Sequence, residues 1–230
     1  MLKIILISEG VKLKTKKEFG FYLMVLVIIS ETISPFILGY FYPHFNQLNM
    51  LMSDFGENGK PTRIAFKIWQ IIDGSIYIIS AFAFYQCFKS TSKGLAKLLS
   101  ASIVLYALGD CIITGIADRV KNSSSIIGKI HSDASALSLL AIWIGVIVLI
   151  LLYKKENNDR FANILKAIFI FATFILIIYS KHKIPILREF RFPLRGLTQK
   201  LCLYSLFLPF LLVSLDKLQI VNFNSKKVVN

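Results

Sequence analysis

Residues 95–117 read LAKLLSASIVLYALGDCIITGIA, and this stretch decides the fold. From Leu98 to Ala117 its only formal charge is Asp110. A helix of roughly 20 such residues crosses the hydrocarbon of a bilayer. A carboxylate at that depth costs roughly 2.5–3.5 kcal/mol on insertion scales, so Asp110 belongs on a bundle interior or a watery cavity.

Five further stretches have the same character: 19–41, 64–88, 131–153, 161–180 and 197–215. Two of them also hold a buried acid, Glu31 in the first and Asp73 in the second. The expected fold is therefore all-α, a polytopic membrane bundle of six transmembrane helices. Residues 1–18 form a basic arm, 19–217 the six-helix domain and 218–230 a short tail. The connections are short and carry no repeat or soluble domain, so one bundle is expected. Pro35 and Pro209 lie inside spans, where each removes a backbone donor and favours a kink.

Composition agrees. Hydrophobic residues make up 55% of the 230, more than a soluble core of this size buries in unbroken runs. Lys and Arg outnumber Asp and Glu by 27 to 13, giving a net charge of +14. The cations lie mainly between the apolar runs, the usual membrane-protein distribution, so nucleic acid is not an expected partner. Cys87, Cys111 and Cys202 lie in or beside apolar segments without a CxxC pair, which points to neither a disulfide nor a metal framework. The short apolar piece 4–7 leads into a basic run and lacks signal-peptide form, so the first span is its own targeting signal.

Orientation follows from the lysines. The N-terminal arm, the connections after the second and fourth spans, and the tail are all basic and fall on one side. The positive-inside rule makes that side cytoplasmic, with both termini inside. Residues 42–63 and 118–130 then face outward. The connection 181–200 is also basic, with Lys181, Lys183, Arg188, Arg191, Arg195 and Lys200 against Glu189, and it too faces outward. A use for those cations at the outer surface is the expected reason.

Helical spacing gathers the polar residues into three stripes. Ser102, Tyr106, Asp110 and Thr114 share one face, Gln70, Asp73, Gly74 and Tyr77 a second, and His131, Ser135, Ser138 and Gly145 a third. Small polar residues at this spacing are ordinary packing contacts between membrane helices. The acids ask for more. No Lys or Arg lies deep in any span, and Lys166 is near enough to an end to snorkel. Glu31 and Asp73 are then protonated, paired through Tyr or Gln, or bound to a proton or cation in transit.

At the outer end, Asp54 follows the first span, Asp110 ends the third, His131 and Asp133 open the fourth, and Arg195, Gln199 and Lys200 open the sixth. Each alone is an interfacial residue. Together, Asp54, Asp73, Asp110, His131, Arg195 and Lys200 form a candidate headgroup or small-ligand site. His44, His131 and His182 with Asp110 have the donor types of a zinc site, but no HExxH or HxxxH spacing supports one, and no metal or cofactor is expected.

Several motifs together resemble a bacterial family of six-helix membrane proteins, domain of unknown function 998. They are NMLMSDFG at 49–56, IIDG at 71–74, LGDCIITGI at 108–116, His131 with its small-residue run, and RGLTQKL at 195–201. Where that family often has Phe-Pro after the third helix, this chain has Ile116-Ala117. The Ser-Asp-x-Gly loop and His131 are also similar to the eukaryotic Frag1, DRAM and Sfk1 family, whose association with lipid handling is an analogy of fold. The expected function is non-catalytic binding or organising of a membrane lipid or small amphiphile at an outward-facing polar pocket. A membrane-embedded lipid hydrolase using Asp110 and His131, and a proton-coupled carrier using Glu31 and Asp73, are the alternatives. The oligomeric state is left open.

Overall fold

The computed structural model describes residues 16–120, 125–180 and 194–223. Six helices are long and apolar enough to cross a membrane. They are α1 (Lys16–Tyr40), α2 (Arg63–Phe88), α3 (Lys93–Ile116), α4 (Ile126–Lys155), α5 (Asp159–Ser180) and α6 (Arg195–Lys217). A helix satisfies its own backbone, which is why this form suits lipid. Each helix packs on the next in the chain. α6 also packs on α1, so the six close into a ring. Both α1 and α6 run through their prolines as continuous helices.

Burial divides the helices by role. In α6, 67% of the apolar window is buried inside the protein, against 28% in α5, so α6 belongs to the interior and α5 to the periphery. Exposed Leu26, Ile29, Ile33 and Phe36 on α1 match Ile170, Phe171, Phe174 and Ile177 on α5 as lipid-facing bands.

Two departures from a plain bundle shape the molecule. In α3 the segment Ala107–Ile113 is a π turn, with Asp110 at its middle. A four-residue stripe drifts about 40° per step round a regular helix, and the wider π turn takes up part of that drift. Ser102, Tyr106 and Thr114 are accordingly all buried, with Asp110 half-buried between them. The second departure is the connection between α1 and α2. It does not lie on the surface as a solvated loop. A 3-10 turn, Met52–Gly56, drops into the bundle end and buries Leu51, Met52 and Phe55. Asp54 Oδ2 accepts the Leu51 amide at 2.8 Å, and Phe45 stacks on Phe55 with centroids 4.1 Å apart. Gly59 has φ 77°, as the Asn58-Gly59 turn requires.

α6 anchors this plug. Gln199 Oε1 accepts the Met52 amide at 2.7 Å, and the Leu197 amide donates to Leu48 O at 2.9 Å. At Gly196, an added Cβ would stand 2.1 Å from Met50 O, so only glycine admits the approach.

Below the plug lies an aromatic layer. Tyr77 of α2, Tyr106 of α3 and Phe207 of α6 meet with centroids 5.2, 5.4 and 6.1 Å apart. Aromatic packing continues through Phe84 and Phe210 to Phe88, Tyr153 and Phe161 at the opposite end. There Asp216 accepts from Tyr153 OH and from the Phe223 amide, each at 3.2 Å, and Phe223 stacks on Phe161. Ring contacts thus run from the aromatic layer to the lysine-rich end.

Candidate functional site

The polar stripes of α2, α3 and α4 converge at the end of the bundle that carries the plug. α4 supplies His131 and Ser135 one turn apart, and α3 presents Asp110 opposite them. Close packing of α3 on α4 is permitted by Gly109, whose added Cβ would meet Ala134 O at 2.7 Å. Ser135 Oγ donates to Asp110 Oδ1 at 2.5 Å, and Tyr106 OH donates to Oδ2 at 3.3 Å. Thr114 donates its hydroxyl to the Asp110 carbonyl, which fastens the π turn. His131 Nδ1 lies 3.0 Å from Ala117 O. A carbonyl only accepts, so Nδ1 carries the proton and Nε2 is the ring position left for another partner.

These groups line two joined spaces. The outer one is a cleft of about 810 Å³ between the plug, the start of α4, the end of α5 and the start of α6. Asn49, Ser53, Asp54, Arg119 and Arg195 make its polar side. Leu139 and Leu140 of α4 and Leu176 and Ile177 of α5 make its apolar side. Leu140 and Ile177 are themselves exposed on the lipid-facing surface. The inner space is a throat of about 30 Å³, bordered by Glu31, Gln70, Asp110, Thr114 and Leu203. Ser53, His131, Ser135 and Gln199 line both, so the throat is the floor of the cleft.

The sequence candidates divide accordingly. Asp54, His131 and Arg195 border the cleft, and Glu31, Asp110 and His131 border the throat. Asp73 lines neither. It is buried one turn from Trp69, whose indole N–H reaches Asp73 Oδ2 at 2.7 Å and Ser30 Oγ at 3.0 Å. Glu31 Oε1 is instead met by Cys111 Sγ at 3.8 Å. Lys200 also lies outside both spaces. Its ammonium turns into the plug, donating to Gln47 O at 2.9 Å and Gly196 O at 3.4 Å. Asp133 is exposed beyond the cleft. Lys181, His182, Lys183, Arg188 and Arg191 lie outside the described residues.

Arg119 is a site residue that the sequence reading did not single out. Its guanidinium approaches Asp54 Oδ1 at 2.8 Å, an ionic contact without hydrogen-bond alignment, and donates to Ser53 Oγ. Its signal was faint: one Arg after Asp118, among many interfacial cations. Asp118 itself pairs with Arg63 and Lys67 at 2.8 and 2.7 Å. The Arg63 hydrogen bonds, helped by Lys67, hold its carboxyl down at about 2.

Chemically, Ser135 and His131 are not paired with each other. The Ser135 proton is directed at Asp110 and the His131 Nδ1 proton at a backbone carbonyl. Among the described residues no three His, Cys, Asp or Glu side chains converge on a metal-ion position.

The sequence pattern of the family described as Protein of unknown function (DUF998) matches residues 25–216. The chain belongs to the DUF998 family. No curated protein and no solved structure matches it. The matched region runs from within α1 to the last turn of α6 and so takes in every residue of the cleft and throat. This DUF998 protein is a multi-pass membrane protein with six spans.

Proposed function

We propose that this DUF998 protein binds or organises a lipid or small amphiphile in the cleft, without catalysing its conversion. The observation that carries the reading is the two-sided lining of the cleft. Arg119, Arg195, Ser53 and Asn49 offer donors on one side, and leucines and isoleucine run out to the lipid-facing surface on the other. An amphiphile entering sideways from the bilayer meets both surfaces at once, and the volume suits a headgroup with the first part of a chain. The layer of Tyr77, Tyr106 and Phe207 beneath the throat supports a blind pocket over a through-path. The lysines at the opposite end support placing that end in the cytoplasm and the cleft at the outer leaflet.

The experiment is lipid extraction and mass spectrometry of protein purified in mild detergent. Arg195→Gln, which removes a rim cation, and Leu140→Trp, which fills the apolar wall, should each lower the co-purified lipid several-fold without loss of folding. Unchanged lipid in both well-folded variants refutes the reading.

A further inference from the structure

The throat is lined differently from the cleft above it. Ser135 and Thr114 both direct their hydroxyl protons to Asp110, and His131 directs its Nδ1 proton to Ala117. What these groups turn to the cavity is therefore lone pairs, from the Asp110 carboxylate, the hydroxyl oxygens and His131 Nε2. Glu31, 2% exposed, adds a second carboxylate to the same walls. No Lys or Arg borders the throat. Asp110 already accepts from Ser135 and Tyr106, and Glu31 from Cys111, but these partners are all neutral, so the acceptors that remain are complementary to a positively charged donor.

Size limits that partner. About 30 Å³ is room for one or two waters or a single ammonium group, and far too little for a phosphate with its ester arms. A multivalent metal ion lacks three converging donors among the described residues. The junction between the two spaces adds an independent indication. Gln199 is 9% exposed, its Oε1 is committed to the Met52 amide, and its Nε2 has no partner among the described residues. That amide therefore offers its N–H groups where cleft and throat meet. Acceptors at the floor, a neutral donor at the junction and guanidinium groups at the rim form a graded sequence. It is complementary to a ligand with an amine at one end of its headgroup and an anionic group behind it.

Resting on the cleft as the binding site, we propose that the throat is an ammonium subsite and that the ligand is an amine-bearing zwitterionic amphiphile. The amine enters the throat at Asp110, and the anionic group stays at Gln199 and Arg195.

The test uses the full chain in detergent and three short-chain probes: dihexanoyl phosphatidylethanolamine, its N-acetyl derivative and dihexanoyl phosphatidylglycerol. N-acetylation removes the charge of the amine and keeps the phosphate. Wild type should bind the free amine about tenfold or more tighter than either amine-free probe. Asp110→Asn should bring the free amine down to the affinity of the other two and leave those two within about twofold of wild type. Arg195→Gln should weaken all three. The wild-type comparison needs no variant, so a misfolded Asp110→Asn leaves the test intact. Equal wild-type affinity for the amine and its N-acetyl derivative overturns the ammonium subsite and spares the cleft. Absence of binding by all three probes overturns both.

Discussion

Ser135 on α4 donates its hydroxyl to Asp110 on α3 across 2.5 Å, and this bond joins the two helices at the depth where α3 widens into its π turn. It holds the acid toward the throat while Gly109 lets the helix axes approach. Removing it should therefore affect both stability and binding. Ser135→Ala leaves Tyr106 OH, at 3.3 Å, as the remaining side-chain donor to this carboxylate. The variant is expected to be destabilised by about 1–3 kcal/mol, the range for an acceptor left short of a partner. Equilibrium unfolding in mixed micelles measures this, and Ser135→Thr, which keeps the hydroxyl, should recover most of the loss.

Lys200 and Gly196 hold the plug from below. Lys200→Met keeps the length of the side chain and loses the bonds to Gln47 O and Gly196 O, with an expected cost of about 1.5–3 kcal/mol. Gly196→Ala drives a Cβ into the Met50 carbonyl, with an expected cost of about 1–3 kcal/mol. Both should raise proteolytic cleavage between residues 41 and 62 before the helices unfold. Wild-type protease resistance in both variants would show that the plug does not depend on these contacts.

Asp118 gives a pH signature. Its folded carboxyl titrates at about 2, below the ordinary unfolded value of about 3.9. A depressed folded value contributes stability above the unfolded value, and that contribution fades as pH falls from there through about 2. Asp118→Asn should thus be slightly less stable than wild type at neutral pH, with the gap closing between about pH 4 and pH 2. The gap should also shrink in high salt, because the pair is only partly buried and salt screens it. Unfolding midpoints of both proteins across that pH range decide the point, and a constant gap contradicts it.

Orientation is open to direct measurement. Asn58 and Lys155 are exposed at opposite ends of the bundle. A cysteine at position 58 in intact cells should react with an impermeant maleimide, and one at position 155 only after lysis. The reverse pattern would turn the cleft to the cytoplasm.

Much of the candidate site was legible in the sequence, because lipid excludes polar faces. Asp110, Ser135 and His131 had to point inward, and helical spacing put them on two facing stripes. Asp73 and Lys200 were less legible. Nothing local shows that an indole one turn away satisfies Asp73, or that Lys200 reaches the Gln47 carbonyl more than a hundred positions earlier. Arg119 escaped notice because its role depends on Asp54 and Ser53, which the plug brings to it.

The sequence by itself determined a six-span membrane bundle, since hydropathy and length are local properties and each helix satisfies its own backbone. It also determined which faces are polar. Only the tertiary structure decided that the 41–62 connection folds inward, that α3 widens at Asp110, and that the acids split between a throat and an indole contact. Those outcomes rest on long-range contacts. A carbonyl of the plug against Gly196, and a serine of α4 against an acid of α3, have no trace in hydropathy or period.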